Sequence, residues 1–276
     1  MKPFNVVNYH LTESCNYSCR YCFAKFEKGA LLDLGEKRKI IENVCRYFRE
    51  SNLLGRINFA GGEPLLDRDL DELIDCAYQN GAKASIVTNG SLLTEERIRA
   101  WQGKVTCIGV SVDSANKEVN KQIGRECRGE SLSIERLLVL TNCMRDNEIK
   151  LKINTVVSKY NLNEDLTWVY KLLHPDRLKF LQMQIVKAAN EKAQNAQITD
   201  SEFEEFCRRH QSCKPVIERK GSMENSYLMI DPKGYFIINN NGEYKKFGSC
   251  LQTPFGELLC RSPINEEKFA ARYKNQ

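Results

Sequence analysis

No apolar run in this chain is long enough to cross a bilayer as a helix, and no leader of the secretory kind follows Met1-Lys2-Pro3-Phe4-Asn5. There is no polybasic tail, no internal repeat and no low-complexity segment. These absences argue against a membrane protein, an exported disulfide scaffold and a nucleic-acid-binding arm. The net charge is only +5, and the basic residues are spread along the sequence. Such a charge admits an anionic ligand without requiring one. The expectation is a cytoplasmic protein that binds neither membrane nor nucleic acid. With 276 residues, 42% of them hydrophobic, the chain has the means to bury a sizeable core.

Cysteine departs from this ordinary composition: there are twelve. Three stand together in Cys15-Asn16-Tyr17-Ser18-Cys19-Arg20-Tyr21-Cys22, a C-x3-C-x2-C spacing. Thiolates are soft ligands suited to iron–sulfur clusters, zinc or Cu(I). A structural zinc site requires four protein ligands, and a fully protein-bound [4Fe–4S] cluster requires four cysteines. Three thiolates around four irons leave one iron open to substrate or cofactor. The loop therefore reads as catalytic, with a zinc knuckle as the alternative. Cys45, Cys76, Cys107, Cys127, Cys143, Cys207, Cys213, Cys250 and Cys260 read as packing residues. The last four are too irregularly spaced to favour a second cluster.

Strand and helix patterns alternate along the first two thirds of the chain. Strands are expected at Asn5–Leu11, Arg56–Ala60, Lys83–Thr88, Val105–Val112, Lys150–Val157 and Leu178–Val186. Helices are expected near Gly35–Ser51, Asp67–Gln79, Thr94–Trp101, Ile134–Asp146 and Asn163–Leu173, with Ser131 and Asn163 as candidate caps. This alternation implies parallel βαβ units, arranged as an open barrel or a doubly wound sheet. Near residue 187 the pattern breaks. A polar stretch, a capped helix at Thr199–His210 and a hairpin over Tyr227–Ile238 follow, with a tail of about forty residues. The expected division is a core over 1–187 and a C-terminal extension over 188–276.

Strand side chains alternate between faces, so residues two apart share a side. One side of the six strands carries Asn8 and His10, Arg56 and Asn58, Ser85 and Asn89, Ser111 and Asp113, Lys152 and Asn154, and Arg177 and Lys179. The other side is mainly apolar. Parallel sheets are normally covered on both faces, and buried cations need anions. Arg56, Lys152, Arg177 and Lys179 thus suggest a polyanionic ligand, and a triphosphate fits that charge. Gly61-Gly62-Glu63-Pro64 closes the second strand, where glycines permit close backbone approach.

Taken together, these residues resemble the radical S-adenosylmethionine (SAM) superfamily. Cys15, Cys19 and Cys22 match its cluster motif, Tyr21 its aromatic position, and Gly61-Gly62-Glu63-Pro64 its SAM-amine motif. Further blocks resemble the viperins: Asn8-Tyr9-His10-Leu11-Thr12, Ser85-Ile86-Val87-Thr88-Asn89-Gly90-Ser91, Ser111-Val112-Asp113-Ser114, Ile123-Gly124-Arg125, Lys152-Ile153-Asn154 and Ser226-Tyr227-Leu228-Met229-Ile230-Asp231. The resemblance implies a partial (β/α)6 barrel, α/β in class, with a C-terminal extension. It implies a [4Fe–4S] cluster on Cys15, Cys19 and Cys22, and SAM near Tyr21, Gly61, Gly62, Glu63, Asn89, Ser111, Arg125 and Asn154. Asn8, Arg56, Lys152, Arg177 and Lys179 are implied for a nucleoside triphosphate. The family has lysine where this chain has Arg56.

The activity implied is formation of a 3′-deoxy-3′,4′-didehydro nucleotide in antiviral defence. The electron would come from a donor such as flavodoxin or ferredoxin, and the protein is expected to be a monomer. No side chain is assigned a catalytic role, because the cluster and SAM carry the chemistry. The alternatives are another radical SAM enzyme, acting on a phosphorylated metabolite or a peptide, and a non-catalytic metal-binding module. The segment Asn239–Lys246 matches animal viperins poorly. It is expected either to order over the nucleotide or to form a plain surface hairpin.

Overall fold

The computed structural model describes residues 4–26 and 29–273. In chain order its strands are β1 (Val6–His10), β2 (Arg56–Ala60), β3 (Lys83–Thr88), β4 (Val105–Ser111), β5 (Lys150–Val157), β6 (Arg177–Gln182), β7 (Val216–Glu218), β8 (Met229–Ile230), β9 (Tyr235–Asn240) and β10 (Glu243–Ser249). The α-helices are α1 (Leu34–Glu50), α2 (Leu70–Gln79), α3 (Glu95–Ala100), α4 (Lys117–Ile123), α5 (Ile134–Asp146), α6 (Thr167–Leu173), α7 (Asp200–Arg209), α8 (Phe255–Cys260) and α9 (Glu266–Tyr273). The fold is mixed α/β with a parallel sheet core, the class expected. Among the described residues no helix is long and apolar enough to cross a membrane.

The chain divides into two compact units, each drawing on sequence from both sides of residue 86 or of residue 187. The first comprises residues 1–14, 24–86 and 221–276, and the second residues 15–23 and 87–220. In the first unit β1 lies between β2 and β8, parallel to both, and β2 pairs with β3. Strands β9 and β10 extend that sheet antiparallel from β8. In the second unit β4, β5, β6 and β7 pair in parallel in that order.

Local chemistry explains the element boundaries. Helix α1 opens on a capping box, in which Asp33 and Glu36 each accept the other's backbone N–H. Its buried stripe includes Ile40, Ile41, Val44 and Phe48. Asn43 on the same helix donates to the carbonyls of Cys250 and Thr253 and accepts from the N–H of Phe255. One amide thus ties the first unit's N-terminal helix to its C-terminal segment. Helix α7 opens on a second capping box, Thr199 with Glu202, as its sequence indicates.

Four expectations need correction. Helix α6 begins at Thr167 rather than Asn163, because Asn161 draws residues 158–164 into a turn by bonding Ser158 N–H, Asp113 O and Val156 O. Helix α5 is capped by Ser133, not Ser131. Strand β6 stops at Gln182 although the apolar run continues, and the Val186 N–H is taken by Asn190 Oδ1. The expected tail is built of β10, α8 and α9. Two further elements, α4 and β7, were not anticipated. The segment Asn239–Lys246 forms the β9–β10 hairpin, whose turn residues Asn241 and Gly242 both have positive φ (52° and 73°), the Asn-Gly signature.

Candidate functional site

The polar faces inferred from strand alternation are present in both units. In the first, Asn8, Asn58 and Ser85 stand in register on β1, β2 and β3. Asn58 Nδ2 donates to Asn8 Oδ1 at 2.8 Å, and Ser85 Oγ donates to Asn58 Oδ1 at 2.8 Å. Asn8 Nδ2 also donates to Leu228 O (3.0 Å) and to Tyr273 Oη (3.3 Å). Asn8 is therefore embedded in the fold's own hydrogen bonding. Arg56 lies half-buried at the start of β2, opposite Lys83. His10, one turn of alternation beyond Asn8, is buried against the Phe26 ring at 4.8 Å, and desolvation pulls its pKa down to about 4.

Also in the first unit, Gly61-Gly62-Glu63 folds back on Thr12 and Ser14, the segment leading into the cysteine loop. Gly62 N–H donates to Thr12 O at 2.7 Å and Glu63 N–H to Ser14 O at 2.9 Å. A Cβ on Gly62 would sit 2.2 Å from Ser14 O, and Gly61 has φ +145° with Thr12 O 2.5 Å from its own hypothetical Cβ. Glycine is needed at both positions for this approach. The Glu63 carboxylate is fully buried and accepts the Leu65 N–H at 3.1 Å, capping the short turn that follows.

The second unit holds the cysteine loop. Cys15 is exposed, and Cys19 and Cys22 are half-buried. The loop is clipped to the end of α4: Ser18 N–H bonds Gly124 O (3.0 Å) and Arg20 N–H bonds Ile123 O (2.9 Å). Gly124 ends α4 at φ +86°, and a Cβ there would lie 2.5 Å from Ser18 O. Asn89 Nδ2 donates to Asn16 Oδ1 at 2.9 Å and reaches Cys15 Sγ at 3.8 Å, while Asn16 Nδ2 donates to Ser91 Oγ at 2.9 Å. Asn89 thus steadies the loop itself. Among the described residues no three metal-ligating side chains form a preassembled cage, yet Cys19 feels the charges of both Cys22 and Cys15.

Asp113, just past β4, is the residue whose role the sequence did not disclose. It is buried, and its Oδ2 accepts Tyr21 Oη–H at 2.7 Å and Arg125 Nη1–H at 2.9 Å. Its Oδ1 accepts the Val156 N–H at 2.7 Å. Arg125 also donates to Ser111 O at 2.9 Å and approaches Cys19 Sγ at 3.8 Å. Burial above all drives the Cys19 thiol up to about 12; the Arg125 guanidinium opposes that rise, and the charges of Asp113, Cys22 and Cys15 add to it. Burial and the Asp113 charge hold the Tyr21 phenol well above its ordinary range. The signal available in sequence was only that Asp113 shares a face with Ser111. Beside this network lies a cleft whose walls include Tyr17, Asn89, Ser111, Asp113 and Arg125.

On the same unit's sheet, Gly109, Lys152 and Arg177 are in register, and so are Ser111, Asn154 and Lys179. Lys179 is buried and forms an ion pair with Glu218 on β7. Desolvation, followed by the charge of Lys179, lowers Lys152 to about 7. The expected cluster of Lys152, Arg177 and Lys179 is therefore a real feature of β5 and β6.

Residues 9–173 match the Radical SAM superfamily model. The chain is 36% identical over 275 residues to the S-adenosylmethionine-dependent nucleotide dehydratase of Selenomonas ruminantium, covering 97% of this chain and 98% of that one. It is 35% identical to the protein of that name from Flammeovirga pacifica (96% and 93%), and 31% to one from Danio rerio (96% and 76%). The chain belongs to the radical SAM nucleotide dehydratase family. Among solved structures, native anSMEcpe with bound AdoMet superposes with a TM-score of 0.68 at 16% identity, over 99% of this chain and 84% of that one. Streptococcus suis SuiB bound to S-adenosylmethionine superposes at 0.69 with 14% identity, over 99% and 68%. These two show the fold alone.

The residues present fit the cofactors of a radical SAM enzyme. Three thiols in one loop are a donor set for three irons of a [4Fe–4S] cluster and leave the fourth without a protein ligand. The glycine turn packs backbone to backbone against Thr12 and Ser14, which holds it to the segment that enters the cysteine loop. The cleft beside Arg125 offers a cation, an amide and hydroxyls to a zwitterionic, hydroxyl-rich ligand such as SAM.

Proposed function

We propose that this chain converts a nucleoside triphosphate to its 3′-deoxy-3′,4′-didehydro analogue. When bound, the cluster and SAM supply a 5′-deoxyadenosyl radical that takes the ribose 4′ hydrogen; loss of the 3′ hydroxyl, with one further electron and a proton, completes the product. The chain's own residues bind and orient. Lys152, Arg177 and Lys179 hold the triphosphate, with arginine suited to bidentate contact and the lysines to point-charge contact. Asn8 and Arg56 are assigned to the nucleotide by the resemblance alone. Cys15, Cys19 and Cys22 hold the cluster, and Gly61, Gly62, Ser111, Arg125 and Asn154 hold SAM. Tyr21, Glu63 and Asn89 act from behind, as supports of the loop and the glycine turn.

The observation that carries this reading is the set of three basic residues, Lys152, Arg177 and Lys179, on one face of two adjacent strands. A peptide or a neutral metabolite does not call for that charge. The relatives from Selenomonas ruminantium and Flammeovirga pacifica are named for nucleotides, which supports the same substrate class. A one-electron donor, a monomeric state and a cytoplasmic setting belong to the same proposal.

The test mixes reduced, reconstituted protein with SAM and, separately, CTP, UTP, GTP and ATP. At least one nucleotide should raise 5′-deoxyadenosine well above the uncoupled background and yield the dehydrated product. If none does, the reading is wrong. Lys179→Ala should keep its iron and its uncoupled SAM cleavage while losing nucleotide affinity at least tenfold.

A further inference from the structure

A radical SAM enzyme needs an electron from outside, so some face of the protein must receive the donor near a cluster ligand. We propose that the groove lined by Arg20, Tyr160, Lys192, Ala193, Asn195 and Ala196 is the docking face for a small acidic one-electron carrier protein. The proposal rests on the functional reading above and extends it to a surface. The groove measures about 220 Å³, and all of its lining belongs to the second unit.

Three observations select this face. The first is position. Arg20 lies inside the cysteine loop, between Cys19 and Cys22, and its Nε donates to Gln122 O at 2.8 Å, which fixes the guanidinium at the surface. The second is packing. Ala193 and Ala196, on the 3-10 turn Glu191–Ala196, belong to one buried cluster with Tyr21, Ile123 and Met183. Cys19 and Tyr160 pack on that same cluster. Groove floor and cluster ligand thus belong to one packed apolar cluster.

The third observation is charge. The lining contains two cations, an amide, a phenol and two methyl groups, and no carboxylate. Glu191, the acid of the same turn, is not among the lining residues. A cationic rim around a small apolar floor complements an acidic protein that presents its redox group at an exposed edge. Electron-transfer encounters bury little surface and depend on steering, so two cations, one of them anchored, suffice to orient one. The step is an outer-sphere transfer: the carrier is oxidised by one electron, the cluster is reduced by one, and no bond or proton moves.

The test uses the reconstituted full-length protein and its Lys192→Glu/Asn195→Glu variant, with a bacterial flavodoxin as the carrier. Binding of the flavodoxin is measured by fluorescence titration at low and at physiological salt. 5′-Deoxyadenosine formation is measured with flavodoxin, its reductase and NADPH, and separately with dithionite. The variant should bind flavodoxin about tenfold more weakly at low salt and lose most of the salt dependence. Its flavodoxin-driven rate should fall in parallel, while its dithionite-driven rate stays within twofold of the parent. Unchanged flavodoxin binding in the variant would overturn the proposal, as would an equal loss with both reductants. The binding arm decides the surface by itself. Failure of the parent to cleave SAM with dithionite would instead count against the functional reading.

Discussion

Asp113 shows what a single side chain contributes here. One buried carboxylate accepts a phenol from the cysteine loop, a guanidinium that also reaches Cys19, and a backbone N–H of β5. Removing its charge leaves Arg125 buried without its counterion, and breaking such a pair from one side costs about 3–5 kcal/mol. Asp113→Asn keeps the size and some hydrogen bonding, so the loss should sit near ~3 kcal/mol, read from urea unfolding of the apoprotein. In reconstituted protein the same variant should retain iron but bind SAM at least tenfold more weakly by calorimetry. Much of this site could be read beforehand. The thiols, the glycine turn and the cations each advertise their chemistry by residue type and spacing. Asp113 did not, because an aspartate after a strand is common and its value lies in partners 12, 43 and 92 residues away. Gly124 was noticed as part of a motif, yet its reason, a left-handed cap pressed on Ser18, is a matter of contact.

At the scale of elements, β5 and β6 set the electrostatics of the nucleotide site. Burial and the neighbouring Lys179 lower Lys152 to about 7, from an ordinary value of 10.5. The fold therefore disfavours the charged form. Between about pH 7 and 10.5 the unfolded chain binds the extra proton, and this group alone makes apoprotein stability rise with pH across that window. A triphosphate has the opposite preference and favours the protonated amine. Nucleotide affinity should fall as pH rises above about 7, by up to roughly tenfold per unit. Calorimetry in buffers of different ionisation enthalpy should register proton uptake on binding, and Lys152→Met should abolish it. Long periodic elements were legible: β3, β5 and α5 have the expected limits. Short ones such as β7 and α4 were not, because three or seven residues carry too little pattern to declare themselves.

At the scale of the whole molecule, the first unit is held together across long sequence distances by a few buried polar groups. Lys37 on α1 donates to both oxygens of Asp67, at 3.0 and 2.8 Å, and to Asp69 at 2.8 Å. These acids follow directly on the glycine turn and its 3-10 continuation, so the triad fixes that turn against α1. Lys37→Met leaves two carboxylates facing each other without their cation. Stability should fall by about 3–5 kcal/mol, measured as a shift of the urea midpoint. The division of the fold into units with interleaved sequence was beyond the reach of pattern reading. Strand alternation reports which residues share a face, and says nothing of which distant segment completes a sheet.

Strand β1 gives that interleaving a consequence in time. Its inner neighbour β8 arrives more than two hundred residues later, and Asn8 gives both its backbone N–H and its side-chain amide to Leu228 O, at 2.8 and 3.0 Å. On the ribosome β1 is thus made well before β8 and waits with one edge open until residue 230 has been added. A product that stops short of residue 229 keeps that open edge, the kind of template on which chains aggregate or are cleared. A strand made late is the one that certifies the first.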